Sequence, residues 1–438
     1  MKKLNITFCS FPDFSGNAKA LYNYMKKKYK DGMNYTWIVT SEVFKEKLSS
    51  KNINAIVLGT DEFKKYIKKT DVFFTTHCNL TGDKTDKAMY IELWHGISSK
   101  KVGFMMSNIS NADKAWYEHL SKTVDYFIVP SEFWTTIFSA RFNVNIKQVL
   151  PLGYPKLDFI KNKKASKNLS KLLNKDLSNY KKIIFYMPTF RKGCGREDGI
   201  VAVNNILNLY SYDEQKLISF LEKNNYLLCI KEHPSEEVQF STTIVSDNII
   251  LIENSKLEEM YFDVYDILDA ADLLITDYSS LGIEFLYLNK PCVYLNTDVD
   301  SYNQSRGICY NNYEFWLTDG VNTLDSLLNK IDQYFSCNDN LPLELEEKRN
   351  LWFGNLKNGG CENICSYFFS DDGKLKVKPY INSNRQVVYL NKKIEKLEEK
   401  KKYYERLSKQ RKEELDLVYN SKSWKLLEKL RKIKNYKR

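Results

Sequence analysis

Met89-Tyr90-Ile91-Glu92-Leu93-Trp94-His95-Gly96 decides how the rest of the chain reads. Residues 89–94 are a short apolar run, the length of a strand rather than a helix, and the run stops on a histidine followed by a glycine that allows a tight turn. The same unit recurs on either side. Apolar runs at Leu4–Ser10, Tyr35–Thr40, Ala55–Leu58 and Val72–Thr76 precede it, and Tyr126–Pro130 follows. Helix-patterned segments lie between them; Ala18–Tyr29 places Leu21, Tyr22 and Met25 on one face. Strand and helix in alternation predict a parallel sheet covered on both faces. A polar, Lys/Asn/Ser-rich stretch at 161–182 interrupts the series. A second series then runs through Lys182–Met187, Tyr226–Lys231, Ile249–Ile252, Leu273–Thr276 and Cys292–Leu295. The expected fold is α/β: two doubly wound domains, 1–165 and 180–375, and a helical tail, 376–438. Two such domains facing each other leave a cleft at the carboxyl ends of their strands, where ligands of open α/β sheets bind.

The 438 residues are 43% hydrophobic, enough for two cores. The net charge of +11 is uneven: residues 371–438 hold 22 basic and 10 acidic side chains, a net of +12, and the remainder is near neutral at −1. Such a tail suits an anionic membrane surface, nucleic acid, or a solvated helix. Asn391–Leu417 has no Gly or Pro and reads as a long helix, with Leu390, Ile394 and Leu397 in heptad phase for a short distance. Ser423–Ile433 sets Trp424 and apolar residues among lysines, the pattern of a helix lying at a membrane interface. No basic-aromatic nucleic-acid module is visible, and the tail's glutamates oppose phosphate binding, so no nucleic-acid partner is expected. No secretory leader is expected, since Ile6–Cys9 is too short for a signal core, and the sequence contains no apolar run of roughly 18–20 residues. The nine cysteines are scattered singly; Cys361 and Cys365 lack a second pair or a nearby histidine, so reduced thiols and no zinc are expected. The expected location is cytoplasmic, peripheral on the inner face of the membrane through the tail.

Only four histidines occur: His77, His95, His119 and His233. His95 and His233 each end a strand, one in each expected domain, and His233 sits in Ile230-Lys231-Glu232-His233-Pro234. Thr276-Asp277-Tyr278-Ser279-Ser280 leads from a strand into a helix over Leu281–Tyr287; its hydroxyls fit an anion site or a plain N-cap. Met187-Pro188-Thr189-Phe190-Arg191-Lys192 fits a phosphate-contacting loop or a solvated basic one. Ser305-Arg306-Gly307 puts an arginine beside a glycine in a polar loop. Asp298-Val299-Asp300 has the look of a metal-binding pair but follows the last strand in a polar loop, and no metal is expected there.

In order along the chain, these segments resemble the CDP-glycerol glycerophosphotransferases, the teichoic-acid and capsule polyol-phosphate polymerase family. The matches are Trp94-His95-Gly96 with Lys100, Lys101 and Gly103; Gly153-Tyr154-Pro155-Lys156-Leu157-Asp158; Pro188-Thr189-Phe190-Arg191; Lys231-Glu232-His233-Pro234; Thr276–Ser280 with Glu284-Phe285 and Lys290-Pro291; and Arg306-Gly307. A weaker likeness covers Gly16–Leu21. The resemblance implies a GT-B-like fold of two Rossmann-type domains, with 1–165 taking the acceptor and 180–375 the CDP-polyol donor. It also implies a surface-glycan or polyol-phosphate acceptor, lipid-linked, with neither metal nor cofactor. Carried over by position, His95 is the general base on the acceptor hydroxyl. His233, Ser279, Ser280 and Arg306 hold the donor diphosphate, with Thr189, Arg191, Lys231 and Asp277 in the same pocket; Trp94, Gly96 and Lys100 lie on the acceptor side. The chain departs from the family at Ile97-Ser98-Ser99, where Thr-Pro-Leu is usual, at Glu284 in place of Asp, and after Gly307. Those changes bear on which polyol and acceptor are used. Two other readings share the sequence: a GT-B glycosyltransferase using a nucleotide sugar, and a non-catalytic scaffold.

Overall fold

The computed structural model describes residues 3–97, 100–193, 196–197, 205–233, 246–305, 307–309, 320–336, 343–354, 358–380 and 383–435. Two parallel sheets carry the chain from its start to residue 380. The first is built from β1 (Leu4–Cys9), β2 (Met33–Val39), β3 (Ala55–Val57), β4 (Val72–Thr75), β5 (Met89–Glu92), β6 (Tyr126–Ile128) and β7 (Val149–Leu150), in the order β3-β2-β1-β4-β5-β6-β7. After β8 (Lys182–Tyr186) comes a short antiparallel hairpin, β9 (Lys192–Gly193) and β10 (Arg196–Glu197). The second sheet adds β11 (Tyr226–Ile230), β12 (Ile249–Leu251), β13 (Leu273–Thr276) and β14 (Cys292–Tyr294), in the order β12-β11-β8-β13-β14. Each sheet grows outward from its own first strand and then reverses, so each has a switch point beside that strand: β1 against β4, and β8 against β13.

Side-chain alternation explains why both faces are dry. Ile6, Phe8, Trp37, Val39, Phe74 and Ile91 face the helix Gly16–Tyr29, whose Leu21, Tyr22 and Met25 are buried. Their neighbours Ile38, Phe73, Tyr90 and Phe127 face the opposite way and join a core that continues into the second half through Phe185, Leu227 and Leu274. Ile184, Tyr186, Leu228, Ile230 and Ile275 form the far face of the second sheet, under the helices Glu214–Asn224 and Leu324–Ser336.

The end of this unit returns to the first half. Cys361, Ile364, Cys365 and Phe368 of the helix Gly360–Phe368 are buried in the core under the first sheet, with Tyr22 and Trp37. Sequence order placed 180–375 with the second domain. The apolar face of this helix, offset by 3–4 residues, is completed by the first half instead. The seven described cysteines are all buried. A separate unit, residues 381–438, holds two helices, Ser383–Asn420 and Lys422–Asn435. The 38-residue helix is about 57 Å long and extends beyond the expected 391–417 at both ends. Leu397, Tyr403, Leu417, Leu426 and Leu430 are exposed on this unit. Among the described residues no helix is long and apolar enough to cross a membrane.

Candidate active site

The two switch points face each other across a cavity of about 760 Å³. Its first wall is the loop after β1 (Phe11–Asn17), the end of β4 (Thr76, His77, Asn79) and the turn after β5 (Trp94–Gly96, Lys100). Its second wall is the loop after β8 (Met187–Phe190), the end of β11 (Lys231–His233) and Tyr278–Leu281 after β13. Of the residues singled out in the sequence, Trp94, His95, Gly96, Lys100, Thr189, Lys231, His233, Ser279 and Ser280 line this one cavity. Arg306 lies outside the described residues, as do Ser98, Ser99 and Pro234.

The turn that carries His95 is held from three sides. Trp94 adopts φ 54°, a left-handed conformation costly for a non-glycine residue. Its N–H donates to Glu92 Oε1 at 2.9 Å, and Asn17 Nδ2 donates to the carbonyls of Leu93 (3.0 Å) and Trp94 (2.8 Å). The reversal sends the indole into the core against Phe138 and Phe142, and leaves the next side chain, His95, at the cavity. Glu92 also accepts from Thr75 Oγ1 (2.6 Å) and the N–H of Cys78 (2.8 Å), so one carboxylate ties the ends of β4 and β5 together. Burial pushes its pKa up to about 7.

His95 Nδ1 lies 3.1 Å from the carbonyl of Thr76. A carbonyl can only accept, so Nδ1 carries the proton and the lone pair of the neutral ring is on Nε2. The ring has solvent access, yet the cavity walls around it, and the charges of Lys156, Lys100 and Arg141, hold its pKa below the usual imidazole range. The His77 ring stacks on it, with centroids 4.1 Å apart and planes 8° from parallel. His77 was not singled out in the sequence. It ends β4 as His95 ends β5, and that position was the legible signal.

The second wall is organised by charge. Asp277 accepts from the N–H and Oγ1 of Thr189, both at 2.9 Å, and pairs with Arg191 Nη2 at 2.9 Å. Asp298 takes Arg191 Nε at 2.9 Å and the Tyr278 hydroxyl at 2.9 Å. Arg191 and Asp277 therefore brace Thr189 from behind the lining residues, whereas the family resemblance implied that they share the pocket. Asp298, the first residue of the metal-like pair, is committed to Arg191 and Tyr278. Lys231 is buried; its ammonium donates to Asn254 Oδ1 at 2.7 Å, and desolvation lowers its pKa to about 8. Burial, then Lys100, Lys231 and His95, push His233 down to about 3; its ring lies 5.0 Å from that of Phe190. Ser279 Oγ caps the helix Ser280–Phe285, accepting from Leu281 N at 3.3 Å. Both sequence readings of this serine pair thus keep a basis: one hydroxyl caps, and both residues line the cavity.

The halves are joined beside the cavity. Gly16 N–H donates to Asp263 Oδ2 at 3.0 Å, and Lys19 pairs with Asp266 at 2.7 Å. Gly96 packs so closely on the second half that a Cβ there would lie 2.6 Å from Ser280 Oγ.

Two facing Rossmann-type halves with the site between their strand ends define a GT-B-like transferase. A structure of the wall teichoic acid polymerase TagF has this fold: TM-score 0.65, 21% identity, covering 83% of this chain and 87% of that one. The teichoic acid glycerol-phosphate primase of Bacillus subtilis (strain 168) is 29% identical over 344 residues, 74% of this chain and 82% of that protein. The teichoic acid poly(glycerol phosphate) polymerase of Bacillus spizizenii (strain ATCC 23059 / NRRL B-14472 / W23) is 27% identical over 316 residues, 68% and 74% of the two chains. The family model for CDP-Glycerol:Poly(glycerophosphate) glycerophosphotransferase matches residues 1–367. The chain belongs to that family and is a CDP-glycerol glycerophosphotransferase-like enzyme.

Proposed function

We propose that the chain transfers a polyol-phosphate, glycerol or ribitol, from a CDP-polyol to a hydroxyl of a lipid-linked surface-polymer acceptor, with His95 as general base. The observation that carries this reading is the meeting of His95 from one half with Lys231, His233 and Ser280 from the other around one cavity. His95 Nε2 takes the proton of the acceptor hydroxyl as its oxygen bonds to the polyol-bearing phosphorus. The bond from that phosphorus to the bridging oxygen breaks, and CMP leaves. Phosphoryl transfer asks a protein mostly for alignment and charge neutralisation. Lys231 and Lys100 supply cations in the cavity, Ser279, Ser280 and Thr189 supply hydroxyls, and Arg306 joins them by family position. His233 serves the donor as a neutral ring, a hydrogen-bond partner rather than a cation. Arg191 and Asp277 act one layer back by fixing Thr189. The first half takes the acceptor and the second the donor, and no metal is needed. The basic tail holds the enzyme on the inner, anionic face of the membrane.

The test is CMP release by the purified protein from CDP-glycerol, CDP-ribitol and common nucleotide sugars, each with and without EDTA. EDTA-resistant release of CMP from one CDP-polyol is the expected result. Turnover of a nucleotide sugar alone overturns the donor assignment while keeping the fold.

A further inference from the structure

Beneath the His95 turn lies a charged cluster that the chemistry above does not use. Lys156 follows β7 in the first half; Glu284 sits on the helix Ser280–Phe285 and Tyr265 on the turn Val264–Asp266, both in the second. Lys156 is 2% exposed and Glu284 0%. The ammonium donates to Glu284 Oε2 (2.8 Å), to the Tyr265 hydroxyl (2.5 Å) and to the carbonyl of His95 (2.8 Å), so its three protons have three acceptors. The Tyr265 hydroxyl donates to Glu284 Oε2 at 2.6 Å, and Glu284 Oε1 accepts the N–H of Ile97 at 3.2 Å. Glu284 thus holds the backbone on both sides of Gly96: directly at Ile97, and through Lys156 at His95. Between those two grips, Gly96 lies against Ser280, with no room for a Cβ.

Stability alone is a weak reason for such a cluster. Desolvating two charges is expensive, and well-packed apolar side chains of similar volume often replace a buried ion pair without loss. What apolar side chains cannot do is fix the His95 carbonyl and the Ile97 amide against one helix of the other half. A misplacement of about 1 Å can cost a transfer reaction about 100-fold in rate.

We propose that Lys156, Glu284 and Tyr265 are positioning residues, a buried pin between the halves that sets His95 against Ser279 and Ser280 and so aligns acceptor with donor phosphate. The proposal rests on the reading of His95 as base and of the serine pair as donor contacts. Its test is the double variant Lys156→Met/Glu284→Met, which removes both charges and strands neither. We expect a thermal midpoint close to that of the unchanged protein and faster amide exchange in the peptide spanning 91–97. We also expect kcat for CMP release to fall by about 100-fold, with the donor KM within about 3-fold. Tyr265→Phe removes one hydroxyl and no charge; it should show the same split at about 3- to 10-fold, and it decides the matter if the double variant does not fold. Unchanged kcat with unchanged exchange overturns the pin, as does a loss carried by KM. If the unchanged protein releases no CMP from any CDP-polyol, the functional reading has failed. Exchange at 91–97 then judges the pin: acceleration in the variant upholds it, and no change overturns it.

Discussion

The two walls of the cavity solve different problems with different means. The first wall presents an imidazole whose ring meets only neutral groups, a carbonyl on Nδ1 and a stacked ring, while charged side chains hold the backbone of its turn from behind. The second wall is braced by full charges, Arg191 between Asp277 and Asp298, with Lys231 buried at its edge. A base must stay unprotonated to take a proton, whereas a diphosphate is gripped by cations whose own geometry must not relax.

The largest test of this contrast is His95→Ala. Its ring is at the cavity rather than in a core, so the variant should fold normally while kcat falls by roughly 10²- to 10⁴-fold; wild-type turnover would remove the base from the first wall. Asp298→Ala attacks the other wall. It removes one of the two carboxylates paired with the largely buried Arg191 and should lower folding stability by roughly 3 kcal/mol, seen as a reduced denaturation midpoint. Lys231→Met should spare stability and raise the donor KM by roughly 10-fold, the loss of one charge-assisted contact.

The walls should also separate on a pH axis. As the proposed base, His95 must be neutral, and its pKa lies below the usual imidazole range, so the acid limb of kcat/KM should fall below about pH 6.5. Lys231 is charged below its pKa of about 8, so donor capture should weaken as pH rises through that value. Lys231→Met should abolish the alkaline limb and leave the acid limb in place. The smallest effect belongs to the tail: removing 381–438 should leave CMP release on short acceptors unchanged and abolish pelleting with anionic vesicles. Unaltered pelleting would move membrane attachment elsewhere.

Strand positions were legible because a strand buried on both faces must be a short apolar run, and 11 of the 14 strands among the described residues stand where such runs were read. The exceptions are the two-residue strands: β7, and the pair β9 and β10, too short to leave a periodic signal. His95 and His233 were legible as polar side chains at strand ends, and the ordered motifs around them named the family. Arg191 and Asp277 were visible as residue types in a motif, but not as a brace behind it. Whether a guanidinium faces ligand or carboxylate depends on Asp298, which is more than 100 residues away in the chain.

The sequence by itself determined the α/β alternation, the break between two sheets, the basic tail and the family, because periodicity, composition and motif order are local properties of the chain. Only the tertiary structure decided that His77 stacks on His95, that Gly360–Phe368 completes the first core, and that Lys156, Tyr265 and Glu284 meet under one turn. Each of these depends on which distant surfaces come into contact. A residue's burial and partners, and with them its pKa and its role, exist only once the halves have closed on each other.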